Sequence, residues 1–182
     1  TPSREEVSTN LAKVLADYPW PIIGAINGFA ITGGFELALM CDVLIASTEA
    51  KFADTHARVG IMPGWGLSQR LPRMIGISRA KQVSLTGNFL TAEVAERWGL
   101  VNSLHNPEEL IPAALKIAND MASCQPHMLK AYKQVIDEGY GMTFSEALIM
   151  EAKRSAKQSS SVSKESVEAA RKEVTARGKT QQ

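Results

Sequence analysis

The stretch IIGAINGFAITGGFELALMCD, residues 22–42, decides how the rest of the chain is interpreted. Its apolar start, Ile22 to Ile26, predicts a buried strand, and Asn27-Gly28 predicts a turn. A second short apolar segment, Phe29 to Thr32, leads to the glycine pair Gly33-Gly34. We expect a helix to begin at this pair, so the stretch predicts strand, turn, apolar segment and helix in that order.

The start of this helix is the first candidate for chemistry. Gly33 and Gly34 allow close backbone approach, and the first amides of a helix lack intrahelical partners. These N–H groups could hold a developing negative charge, with the carboxylate of Glu36 one step away. On spacing alone the preferred interpretation of Glu36 is structural, because a first-turn glutamate gains about 0.3–1 kcal/mol from the helix dipole.

Bulk properties exclude several classes of protein. The 182 residues suffice for one globular domain. The net charge of +1 gives no indication of nucleic acid or an anionic membrane surface. Cys41 and Cys124 lack metal-type spacing, and we expect no metal site. No signal peptide and no apolar run of about 18 residues occurs, so no membrane span is predicted.

After this stretch the pattern changes from α/β to helical. Val43 to Ser47 reads as another buried strand, and apolar runs separated by helices predict a mainly parallel sheet covered on both faces. Lys51 to Gly66 is expected to be mostly loop. A helix should follow from Leu67, with Gly76 as its end.

Capping patterns place the later helices. Asn106, followed by proline and two glutamates, predicts one helix start, and Thr143 with Glu146 predicts a capping box. The serine run at 159–161 is expected to be a loop or short linker, and Gly178 to end the last helix.

Seven motifs in the same order resemble the crotonase superfamily, also called the enoyl-CoA hydratase/isomerase family. They are PIIGAING (21–28), GGFELA (33–38), CD (41–42), IMPGWG (61–66), QRL (69–71), SLTG (84–87) and AERWGLV (95–101). The resemblance implies an α/β fold, a crotonase-like β-β-α spiral core with a helical C-terminal region. Residues 1–105 would form the C-terminal part of that core, and 106–182 a helical region for trimerisation and for covering the active site.

The resemblance also implies an activity: hydration of a trans-2-enoyl-CoA thioester through an oxyanion-stabilised enolate, in fatty-acid or related acyl-CoA breakdown. It makes Glu36 the general acid/base and the Gly33 N–H one half of the oxyanion hole. Apart from the resemblance, Trp65 and Met62 flank Pro63-Gly64 and could line an acyl pocket or pack in the core beneath a turn; with Pro63 and Gly34 they are the candidate substrate-binding residues. Coenzyme A would enter as part of the substrate with no other cofactor, and a homo-trimer or dimer of trimers is expected.

His56 departs from the pattern of the family's two-glutamate hydratases, which carry their second carboxylate at this position. A histidine can exchange a proton near neutral pH, so His56 could replace that glutamate or be a polar loop residue. Asp54 could orient His56, act itself or cap a turn. The departure keeps two alternatives open: another crotonase-type reaction, such as isomerisation or hydrolysis, and a CoA-binding or assembly protein with weakened catalysis.

The family resemblance begins in mid-domain, and the chain begins at Thr1. We therefore expect a fragment, a processed chain or a chain described without its first part. The family's second oxyanion donor comes from the preceding segment, so we expect little activity from these 182 residues alone compared with a longer form. An intracellular location is expected, with cytoplasm, peroxisome and mitochondrion equally compatible.

Overall fold

A computed structural model describes residues 11–159 and 163–180 of the chain. Residues 11–16 are helical. Most of the expected serine loop lies outside the described residues, and Ser159 ends a helix. None of the described helices is both long enough and apolar enough to cross a membrane.

Two successive strand–strand–helix units form the β-containing part. The first consists of β1 (Ile23–Ile26), β2 (Phe29–Ile31) and the helix Gly33–Ala38. The second consists of β3 (Val43–Ser47), β4 (Lys51–Ala53) and the short helix His56–Val59. The segment expected to be mostly loop therefore begins with a strand and a helical turn.

The two units contribute their strands to different sheets. β1 pairs with β3, and β2 pairs with β4, in both cases in parallel. β5 (Leu90–Thr91) joins β4 in antiparallel orientation, and β6 (Leu104–His105) joins β3 in parallel. The expected mainly parallel sheet is thus realised as two three-stranded sheets, ordered β1-β3-β6 and β2-β4-β5.

Close packing between β1 and β3 depends on a glycine. A Cβ atom on Gly24 would lie 2.6 Å from Leu44 Cδ2 and 3.0 Å from Cys41 Sγ, so a larger residue does not fit without displacement. In the core between the sheets and helices, the buried rings of Phe35 and Phe52 pack with centroids 5.5 Å apart. This packing holds the helix that carries Glu36 against β4.

The other helices follow the capping patterns in part. They are Leu67–Ile75, Ile77–Thr86, Ala92–Arg97, Leu110–Ala122, Pro126–Tyr140, Phe144–Ser159 and Lys164–Thr180. Helix Leu110–Ala122 packs against β1, β3 and β6. The capping box is confirmed: Glu146 Oε2 accepts the Thr143 backbone N–H at 3.1 Å, and Thr143 Oγ1 accepts the Glu146 N–H at 3.4 Å. Hydrogen bonds from Thr143, first from its hydroxyl, lower the pKa of the Glu146 carboxyl.

Two helix boundaries differ from the sequence-based expectation. Asn106 does not cap a helix: the helix begins only at Leu110, with Glu109 at its N-cap position, and the Asn106 side-chain amide donates to Glu109 Oε2 at 3.2 Å. Gly178 does not end the last helix, which continues to Thr180, because Gly178 lacks the left-handed backbone of a terminating glycine.

The chain divides into two compact units, residues 1–130 and 131–182. The predicted boundary between 105 and 106 stays a prediction about the family's core. Within the second unit, Arg154 and Glu138 form an ion pair. This unit also exposes many large apolar side chains: Tyr132, Ile136, Tyr140, Met142, Phe144, Leu148, Ile149, Val167 and Val174.

Candidate active site

The pairing of β2 with β4 brings the candidate residues together. Ile31 lies opposite Ala53, and the Thr32 N–H continues the pairing by donating to the Ala53 carbonyl at 2.9 Å. Since parallel strands end at the same edge of a sheet, the segments that follow them leave side by side. Glu36 follows β2 and His56 follows β4, so the topology places both at one edge.

One carboxylate oxygen of Glu36 accepts backbone hydrogen bonds, and the other faces His56. Its residue surface is 4 % exposed. Glu36 Oε1 accepts the backbone N–H of Trp65 at 2.7 Å and that of Leu67 at 3.5 Å. Leu67 is the first residue of its helix, so this oxygen lies where the helix dipole favours negative charge. The partners of Oε1 fix the side chain, and Oε2 faces His56.

His56 lies between two buried carboxylates. It is 5 % exposed, and its Nε2 lies 3.5 Å from Glu36 Oε2. Its other ring nitrogen, Nδ1, lies 2.7 Å from Asp54 Oδ1, which also accepts the His56 backbone N–H at 3.1 Å. The loop interpretation of His56 does not describe this position, because the ring is buried and directed at Glu36.

The glycine pair begins the helix as expected, and Trp65 packs near it. The Trp65 ring reaches within 4.0 Å of the position that a Cβ of Gly33 would occupy, and Gly34 is exposed with open space beside it. Gly66, with φ of 100°, turns the chain between the two amides that hold Glu36. Pro63 is half-buried, whereas Met62 is 85 % exposed. The structure thus brings Trp65, Gly33, Glu36 and His56 together, and the acyl-binding role of Met62 and Pro63 stays a prediction.

Thr32, the residue before Gly33, has a strained backbone. Its φ of 54° is the only positive φ of a non-glycine residue in the described part of the chain. A β-branched residue in such a region costs about 1–3 kcal/mol, so surrounding contacts must hold it. The Thr32 hydroxyl is hydrogen-bonded to the hydroxyl of Thr55, the residue before His56. This bond joins the Gly33 turn to the His56 turn.

Replacing Thr55 with Val is expected to lower the free energy of unfolding by about 1 kcal/mol, since the change keeps the shape but removes the partner of the Thr32 hydroxyl. Urea unfolding of both proteins measures the difference. Thr48→Val, at an exposed threonine, serves as the matched control and should have little effect. Equal unfolding midpoints for Thr55→Val and the unaltered protein would contradict a stabilising bond.

Two features of this site were not predicted from the sequence. The Trp65 and Leu67 amides were not recognised as partners of Glu36, although Gly66 before a helix is a signal of an unusual turn. The direct contact between His56 and Glu36 was also missed, although both residues follow strands that a parallel sheet could place side by side.

Comparison with known proteins gives a consistent result. A family model described as enoyl-CoA hydratase/isomerase matches residues 2–176. The chain is 47 % identical over 158 residues to a probable peroxisomal enoyl-CoA hydratase 1 of Arabidopsis thaliana, covering 87 % of this chain and 60 % of that protein. It is 42 % identical over 132 residues to a short-chain-enoyl-CoA hydratase of Clostridium acetobutylicum, covering 72 % of this chain and 51 % of that protein.

Solved structures agree with the sequence relatives. The fold matches subunit I of an enoyl-CoA hydratase from Geobacillus kaustophilus with a TM-score of 0.82 and 34 % identity, over 89 % of this chain and 63 % of that one. The chain therefore spans between half and two thirds of the length of these relatives.

Proposed function

Since the chain belongs to the enoyl-CoA hydratase/isomerase family, we propose that it adds water across the 2,3 double bond of a trans-2-enoyl-CoA thioester. The observation that carries the proposal is the buried contact of Glu36 Oε2 with His56 Nε2, 3.5 Å apart beside the turn at Gly33. Two groups that exchange protons at adjacent positions are what hydration needs, because one proton leaves water and another joins carbon.

Each step of the proposed reaction has a group in this chain. The oxygen of water forms a bond to C3, and the base of the pair takes the proton from the O–H bond that breaks. The π electrons of the double bond pass to C2 and the thioester oxygen, and the acid of the pair donates a proton to C2. The pair ends with the same number of protons, so it is ready for another turnover.

The Gly33 N–H is proposed to stabilise the thioester oxygen while it carries enolate charge. It is the first amide of its helix, and such amides have no partner within the helix. A fixed donor of this kind contributes on the order of 3–4 kcal/mol to transition-state stabilisation. The proton transfers use side chains of this chain, the substrate and water, and the proposal names no metal and no further cofactor.

The proposed substrate and assembly follow the family. Acyl-CoA is the substrate class, and the relative named peroxisomal is consistent with a location inside the cell. A homo-trimer or dimer of trimers is proposed, supported by the many exposed large apolar side chains of the second compact unit, which an assembly would cover. Light scattering coupled to size-exclusion chromatography measures the assembled mass, and a monomer at micromolar concentration would overturn the trimer.

Product analysis with crotonyl-CoA in deuterated, oxygen-18-labelled water tests the reaction. The proposal expects a 3-hydroxyacyl-CoA with solvent oxygen at C3 and one solvent hydrogen at C2. A 3-enoyl-CoA product would indicate an isomerase, and free CoA with the carboxylic acid a hydrolase. Bound substrate that never reacts, even at the low rate expected of these 182 residues alone, would indicate a binding protein. Each of these three outcomes overturns the hydratase proposal.

A further inference from the structure

We propose that Asp54 is the positioning residue of this site: it fixes the proton of neutral His56 on Nδ1 and so directs the bare Nε2 at Glu36. The inference rests on the proposed function for its catalytic meaning, but the position of the proton is a property of the unliganded protein. It assigns a defined role to a carboxylate that the sequence alone left among three alternatives.

The acceptor role of Asp54 follows from its contacts. Asp54 Oδ1 accepts the backbone N–H of His56 at 3.1 Å and lies 2.7 Å from the His56 Nδ1 atom. A carboxylate oxygen has lone pairs for both contacts and no proton to donate. The short contact to Nδ1 therefore requires an N–H on that ring atom. Asp54 is itself buried, and a buried carboxylate is stable only where such donors satisfy it.

On the other side of the ring, His56 Nε2 and Glu36 Oε2 can then exchange one proton. With Nδ1 protonated, a neutral His56 directs a lone pair from Nε2 at Glu36 Oε2, 3.5 Å away. The proton that the pair exchanges can occupy either of these two atoms. It lies either on Glu36, as a hydroxyl directed at Nε2, or on Nε2, as an imidazolium directed at the carboxylate. Either state gives the acid and the base that hydration needs.

The inference predicts the result of an Asp54→Asn exchange. The amide can donate through its nitrogen as well as accept through its oxygen, so it no longer requires a proton on Nδ1. The Nε2-protonated tautomer then becomes populated. In that tautomer the basic nitrogen is Nδ1, which does not face Glu36. We expect the hydration rate to fall on the order of 10²-fold, within the range of known effects of removing a histidine-orienting carboxylate.

Nitrogen-15 NMR of histidine-labelled protein tests the tautomer without substrate. His56 is distinguished from His105 and His127 by the signal that disappears in His56→Gln. The unaltered protein should show neutral His56 with its proton on Nδ1, and Asp54→Asn should show a mixture of tautomers. Asp42→Asn is the matched control, because Asp42 Oδ2 also accepts a backbone N–H, from Ile22 at 2.7 Å, away from His56. That control should change neither the tautomer nor the rate.

The outcomes separate this inference from the proposed function. Nε2-protonated neutral His56 in the unaltered protein would overturn the inference, whatever the activity and whether or not Asp54→Asn folds. An Asp54→Asn variant with unchanged tautomer and unchanged rate would also overturn it. A protein with the Nδ1-protonated tautomer but no hydration product would overturn the proposed function while leaving the tautomer assignment intact.

Discussion

Replacing Glu36 with Gln should lower the hydration rate about 10²- to 10⁴-fold, the usual contribution of one positioned acid/base group. The glutamine carbonyl can still accept the Trp65 N–H that Glu36 Oε1 accepts at 2.7 Å, so the variant keeps the fold of the site. It cannot carry a proton between water and C2. Loss of the enoyl absorbance of crotonyl-CoA measures the rate, and the ratio to the unaltered protein is the quantity of interest even where the absolute rate is low.

A matched control for this exchange is Glu96→Gln. Glu96 is an exposed glutamate on the helix Ala92–Arg97, away from the strand ends that form the site. Its exchange removes the same charge and should leave the hydration rate within about twofold, as expected for surface substitutions away from a site. A Glu36→Gln variant that hydrates crotonyl-CoA as fast as Glu96→Gln would remove Glu36 from the mechanism.

A large loss of stability is expected when a buried leucine is shortened. Replacing Leu71 with Ala should lower the free energy of unfolding by about 2–5 kcal/mol, because the change deletes a buried side chain and leaves a cavity. Leu71 is 0 % exposed and lies on the helix Leu67–Ile75. The first amide of that helix donates to Glu36 Oε1, so the burial of Leu71 supports the position of this carboxylate as well as the fold. Urea unfolding followed by circular dichroism measures the change.

Leu85→Ala provides the control with identical chemistry. Leu85 is 74 % exposed on the neighbouring helix Ile77–Thr86, so its loss should cost less than about 0.5 kcal/mol. Both exchanges replace a leucine within a helix by alanine, and helix propensity therefore cancels between them. If Leu71→Ala unfolds at the same urea concentration as Leu85→Ala, the assigned core is wrong.

Local sequence patterns predicted much of the fold. The crotonase-like α/β fold is confirmed by the family match and by the structural relatives. The strand from Ile23, the helix at Gly33 and the helix between Leu67 and Ile75 all lie where apolar periodicity and glycines predicted them. These elements are specified by neighbouring residues, which is why a linear pattern suffices for them.

The contacts across the site could not be read from such patterns. Nothing in the spacing of Glu36 and His56 indicates that Nε2 and Oε2 lie 3.5 Å apart, because that distance depends on the parallel register of β2 with β4. The start at Asn106 was misjudged for a similar reason. Asn106 fits a cap by residue type, but its side chain can donate to Glu109 instead, and only the three-dimensional structure shows which bond forms.

A double-mutant cycle of hydration rates measures whether Glu36 and His56 act as one proton-transfer unit. The cycle compares Glu36→Gln, His56→Gln and the double variant with the unaltered protein. Residues that act as a unit are strongly non-additive, so the double variant should be about as slow as the slower single variant. Losses that multiply, or a His56→Gln variant with the unaltered rate, would show that the two side chains do not act as a unit.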